Sequence, residues 1–115
     1  PVIITSKTTL SDVEIRGERI PAGGKVMFCY GAANRDPRVF NEPEKFDIRR
    51  ASNPHVSFTE GIHRCLGAPL ARMEGVAAIR KLSDPALKIR LDLSRAKKHV
   101  AGPFWGYREL PVHVD

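Results

Sequence analysis

The sequence predicts an α+β chain in which small β-hairpins flank an irregular meander and one long helix. Three observations carry this expectation. Short apolar segments, alternating or continuous and bounded by Gly or Pro, occur towards both ends. Residues 36–57 hold three prolines and no hydrophobic period. Residues 66–82 repeat apolar side chains at helical spacing.

Taken in order, Val2 to Thr5 is β-branched and apolar, which predicts a buried strand ending near Lys7. In DVEIRGERI, Val13 and Ile15 alternate with Glu14 and Arg16, and Arg16-Gly17 supplies the turn of a small hairpin that returns through Ile20. After a PAGG turn at Pro21 to Gly24, the continuous run KVMFCY (Lys25 to Tyr30) suits a strand covered on both faces, with Cys29 as an inert buried thiol. A short helical turn at Gly31 to Asn34 is stopped by Asp36-Pro37, because a residue before Pro is pushed out of the α region. The meander that follows has Phe40 and Phe46 as its large apolar anchors, and a structureless stretch of that length tends to be functional. Leu66, Leu70, Met73, Ala77 and Leu82 fall on or near one face of a helix over Leu66 to Leu82, with Pro69 in its first turn, where a missing N–H does no harm. After Asp84-Pro85, LKIRLDL alternates as a strand, and strand-like pieces around Val100 to Trp105 and Leu110 to Val114 complete the pattern.

A length of 115 residues allows one domain or less. The chain begins at Pro1 with strand text at once, which reads as a portion of something larger. Lys plus Arg number 19 against 13 for Asp plus Glu, a formal charge of +6 that favours acidic partners. The charges are scattered and do not point to nucleic acid. Two cysteines outside any C-x-x-C pair suggest a reducing compartment, hence the cytoplasm. No apolar run approaches the roughly 18 residues of a membrane span.

The stretch FTEGIHRC, Phe58 to Cys65, concentrates the chemistry. Cys65 precedes the predicted helix, whose N-terminal N–H groups and dipole favour a thiolate. Gly61 and Gly67 permit a tight turn and close approach of a flat ligand. Three uses compete for the sulfur. Zinc needs three or four ligands, and His63 with Cys65 supplies two. A catalytic cysteine needs a His base, but His63, two residues earlier on a tight loop, points elsewhere. A metal already chelated by a macrocycle needs a single protein thiolate, and that matches the residues present.

FTEGIHRCLGAPLARME resembles the cysteine-ligand signature of the cytochrome P-450 superfamily, F-G-x-G-x-H/R-x-C-x-G followed in bacterial members by A-P-L-A-R. Phe58, Gly61, His63, Cys65, Gly67, Ala68, Pro69, Leu70, Ala71 and Arg72 match as they stand. GERIPAGGKV is similar to the family's G-x-x-I-P-A-G-x-x-V hairpin, ANRDPRVFNEPEKFDIRR to its meander, and YRELPV to its terminal strand. Thr59 departs from the pattern, which prefers Gly or another small residue there. A β-branched residue at a position that needs positive φ is strained, so Thr59→Gly is expected to be neutral or to improve haem retention.

The resemblance implies the C-terminal part of a single, mainly α domain of a soluble bacterial-type haem-thiolate monooxygenase. Residues 1–30 would be its strands and hairpin, 31–57 the short helix and meander, 58–67 the Cys loop, 66–82 the proximal helix and 85–115 the C-terminal strands. It implies haem b (iron protoporphyrin IX) as cofactor and Cys65 as the axial thiolate that donates electron density to the iron. His63 would bond a propionate, Lys7 would stand where many members pair an Arg with a propionate, and Phe58 would shield the sulfur. Gly61, Gly67 and Ala71 complete the cofactor-binding set. Val2, Ile3, Thr5 and Phe104 would border a small organic substrate, which dioxygen hydroxylates or demethylates. Electrons would come through an acidic ferredoxin or a flavin-type partner docking near Arg64. Lys45, Arg49 and His55 are the candidates to pair with an E-x-x-R helix not found in these residues. The competing reading is a truncated remnant or basic binding fragment without haem.

Overall fold

The structure is a computed structural model that describes residues 2–115. It divides into two units. The first contains residues up to Ser57 together with Gly102–Phe104, and the second contains Phe58–Ala101 and Trp105–Asp115.

In the first unit, β1 (Thr5–Thr8) pairs antiparallel with β4 (Lys25–Phe28), with Thr5 opposite Phe28 and Lys7 opposite Val26. Between them β2 (Val13–Ile15) and β3 (Glu18–Ile20) form the predicted hairpin. Arg16 at φ 52° and Gly17 at φ 84° form its turn, and two left-handed residues match the twist of the flanking strands. The PAGG turn is stitched to Thr9: its N–H donates to the Gly24 carbonyl (3.0 Å), its carbonyl accepts from Gly23 N–H (2.9 Å), and its hydroxyl donates to the Pro21 carbonyl (2.6 Å).

Three expectations for this unit need correction. The first strand starts at Thr5, because the backbone of Ile3 is engaged elsewhere: its N–H donates to the Pro103 carbonyl, its carbonyl accepts from Gly31, and Val2 bridges Phe104. β4 stops at Phe28 and lacks the expected cover on both faces: Met27 is 65% exposed. Cys29 is likewise exposed; its carbonyl starts α1 (Tyr30–Ala33) by accepting from Ala32 and Ala33.

Beyond α1 the meander is held by side chains in place of a ladder. The Asn34 amide bonds the Ser57 hydroxyl and accepts from the Val56 N–H. The Asp36 carbonyl accepts from Val39 and Phe40, turning Phe40 inward to join Tyr30 in the buried core. The expected second anchor, Phe46, is 92% exposed. Arg50 donates to the carbonyls of Asn41 (2.6 Å), Glu42 (3.2 Å) and Lys45 (3.3 Å), pinning a turn that contains Glu42 at φ 47°.

In the second unit a 3-10 turn at Gly61–His63 leads to α2 (Ala68–Leu82). β5 (Ile89–Leu91) pairs with β8 (Val112–Val114), and β6 (Lys97–Ala101) pairs with β7 (Phe104–Glu109). The strand expected across Val100 to Trp105 is interrupted at Gly102, φ 54°, followed by Pro103. Ala68 is the buried apolar residue of this unit, whereas Leu66, Leu70 and Met73 on the helix stripe are exposed. No helix among the described residues is long and apolar enough to cross a membrane.

Two measurements test this account. A Cβ at Gly24 would lie 2.9 Å from both Ile20 Cγ2 and the Pro21 carbonyl oxygen, closer than atoms pack. Gly24→Ala should therefore destabilise the protein by about 1–3 kcal/mol, seen as a lower urea midpoint, and an unchanged midpoint would show that the turn has room. Bonds from the Arg38 guanidinium, and then from its backbone N–H, hold the Asp36 carboxyl down at about 2 instead of 3.8. A lowered folded value stabilises the fold above the ordinary carboxylate range, and that contribution is lost as pH falls from about 4 to about 2. An NMR titration of Asp36 should show the low midpoint, and Arg38→Ala should move it up towards the ordinary value.

Candidate functional site

The loop from Phe58 to Gly67 is closed at its base by a backbone bond from Cys65 N–H to the Phe58 carbonyl, 2.8 Å. Within it the chain reverses through two left-handed residues, Thr59 (φ 57°) and Gly61 (φ 73°), on either side of an extended Glu60. Gly61 takes that conformation freely, whereas Thr59 is strained there, as the sequence predicts. The Thr59 hydroxyl nevertheless donates a 2.6 Å bond to the His63 carbonyl. Arg64 N–H donates to the Gly61 carbonyl and closes the 3-10 turn.

Helix α2 begins at Ala68, capped at Gly67, not at Leu66 directly after the cysteine. Two residues of turn intervene because Cys65 first accepts a tight 3.2 Å bond from Ala68 N–H, and regular helical bonding starts with Ala71 N–H to the Gly67 carbonyl. Gly67 has helical φ of −78°, so the turn itself does not require glycine. What it contributes is space: a Cβ there would sit 3.9 Å from Cys65 Sγ, and its absence leaves that flank of the exposed sulfur open.

Phe58 is half-buried, with the Arg72 guanidinium 4.9 Å over its ring. This cation–π contact ties the start of the loop to the first turns of α2. Arg64 faces Glu60 at 3.7 Å, an exposed pair of small energetic weight. Cys65, His63, Phe58, Gly61, Gly67 and Ala71 thus all fall on one short loop and the helix turn after it.

The remaining predicted residues lie in the first unit. Lys7 on β1 places its ammonium 5.5 Å from the Phe28 ring centroid. Val2, Thr5 and Phe104 line one concavity of about 690 Å³ with Ile4, Met27 and Pro103. Ile3 is absent from that lining; it packs where a Cβ at Gly31 would meet its own Cβ at 3.4 Å. Ile4 was not anticipated. Thr5 also shares a 2.8 Å hydrogen bond with the Tyr30 hydroxyl.

In the meander, Lys45 pairs with Glu42, the Arg49 amide bonds Asp47, and His55 Nδ1 accepts from Ser57 N–H. The residue that organises the segment, Arg50, was missed by sequence reasoning. Its signal was the guanidinium's fork of five donors in a stretch rich in turn carbonyls.

Residues 1–82 match the family described as Cytochrome P450. Over 117 residues the chain is 39% identical to 6-deoxyerythronolide B hydroxylase of Saccharopolyspora erythraea, covering 100% of this chain and 29% of that protein. The biotin biosynthesis cytochrome P450 of Bacillus subtilis is 41% identical over 120 residues, with the same coverage of 100% and 29%. Among solved structures, P450BioI in complex with hexadec-9Z-enoic acid ligated acyl carrier protein superposes with a TM-score of 0.92 at 38% identity, covering 100% of this chain and 30% of that one. The chain therefore spans 29% of the length of these two curated relatives.

Proposed function

Because the chain belongs to the cytochrome P450 family, we propose that it carries the thiolate side of a haem monooxygenase, in which Cys65 would hold the iron. One observation carries the reading. The Cys65 sulfur is exposed on a loop whose own backbone bond fixes the cysteine amide, and Gly67 puts no side chain beside it. These residues fit a flat macrocycle approaching the sulfur, which as a single thiolate would be the one protein ligand such a group needs. Haem b, when bound, would supply the iron at which dioxygen is activated to hydroxylate or demethylate a small organic substrate.

The chain's own residues then divide the remaining work. Cys65 would hold the cofactor and supply electron density to it, and the N–H groups near Leu66 and Gly67 would tune that donation. Phe58, kept in place by Arg72, excludes water from the thiolate. His63 donates to a propionate, and Lys7 offers a second cation for one. Gly61, Gly67 and Ala71 keep side-chain bulk away from the macrocycle. Val2, Thr5 and Phe104, which share an apolar concavity, border the substrate. An acidic ferredoxin or flavin protein delivers electrons by docking on the side that carries Arg64, and a surface with a formal charge of +6 favours such a partner.

In the full-length protein, reduced and CO-bound, the red-shifted band of a thiolate-ligated haem should be present and should vanish in Cys65→Ala. Persistence of the band would sink the assignment. Loss of one charge-assisted hydrogen bond costs about 1.5–3 kcal/mol, so His63→Ala should speed transfer of haem to an apo-globin acceptor by tens of fold. An unaltered transfer rate would remove His63 from the cofactor set.

A further inference from the structure

The half of the loop that runs from Glu60 to Arg64 has little to hold it by packing. Ile62 is 98% exposed, the 3-10 turn is three residues long, and the Glu60–Arg64 pair is solvated. Its geometry depends instead on hydrogen bonds at one peptide unit. The carbonyl of His63 accepts from the Thr59 hydroxyl at 2.6 Å, while the N–H of Arg64, on the opposite side of the same plane, donates to the Gly61 carbonyl at 3.0 Å. A planar peptide pinned on both sides cannot rotate about its flanking bonds. The next peptide unit is pinned too, through Cys65 N–H to the Phe58 carbonyl.

We propose that Thr59 is a positioning residue for the Cys65 thiolate. Its hydroxyl tethers the His63–Arg64 peptide and so fixes the direction from which the chain enters the cysteine. The inference rests on the reading of Cys65 as the haem ligand. It also accounts for the strain. A φ of 57° favours glycine, and the β-branched side chain there is offset by the hydroxyl bond it makes to the His63 carbonyl. The expectation that Thr59→Gly is neutral or improves haem retention follows from strain alone and omits the bond that glycine cannot make.

The test compares Thr59→Ser, Thr59→Gly and Thr59→Val in the full-length protein as purified. Two quantities are read: amide hydrogen exchange at Arg64 and Cys65, and the rate at which the thiolate band of the reduced CO complex decays in mild urea. Serine keeps the hydroxyl and should behave like the parent. Glycine relieves the strain but loses the tether, and both rates should rise roughly three- to tenfold. Valine keeps the strain without the bond and should be faster still. Glycine as slow as the parent, or serine as fast as glycine, overturns the proposal. If the parent shows no thiolate band, the ligand reading fails, and the exchange rates at Arg64 and Cys65 still decide whether the tether exists.

Discussion

A single backbone hydrogen bond, from the Cys65 amide to the Phe58 carbonyl, converts the segment between them into a loop with fixed ends. Closing a short loop costs little chain entropy, but holding it in one conformation requires each peptide within it to find a partner. Here the inner partners are local: Gly61 with Arg64, Thr59 with His63, and Cys65 with Ala68 at the start of α2. The sulfur is consequently presented to the outside on a backbone braced by these bonds. Gly67 places no side chain on one flank of the sulfur, and the aromatic residue at the base of the loop is anchored by Arg72 on the helix. The chemistry proposed for the site depends on that combination of a rigid backbone and an open face.

The same strategy, polar side chains standing in for regular structure, runs through the meander. Asn34 spans to Val56 and Ser57, Asp36 opens a turn that Arg38 steadies, and Arg50 collects three carbonyls. Apolar burial contributes little by comparison, since Tyr30, Phe40 and Ala68 are the buried apolar side chains among the described residues. Large apolar residues of β4 and of the α2 stripe, Met27, Leu70 and Met73 among them, are exposed.

Local patterns were legible wherever a residue's own backbone preference decides the outcome. Arg16-Gly17 is a two-residue hairpin turn, Asp36-Pro37 lies just beyond the end of α1, and the periodicity of residues 66–82 is a helix, two residues shorter at its start than the apolar pattern suggests. The motif around Cys65 identified the family before any coordinates. Burial was not legible. KVMFCY and Phe46 have the composition of covered segments, yet Met27, Cys29 and Phe46 are exposed, because hydrophobicity states what a residue prefers and not what lies opposite it.

Sequence alone determined the order of elements, the loop that presents one thiol, and the residues of that loop with exceptional backbone demands, because turn chemistry and helical period act over a few neighbouring residues. Tertiary structure decided the rest. It set where the first strand begins, since the Ile3 backbone is claimed by Pro103 and Gly31, residues far away in the chain. It brought three meander carbonyls to the Arg50 guanidinium and the Thr59 hydroxyl to the His63 carbonyl. Each of these outcomes depends on which donor and acceptor meet in space. Spacing along the chain does not encode that until the backbone is folded.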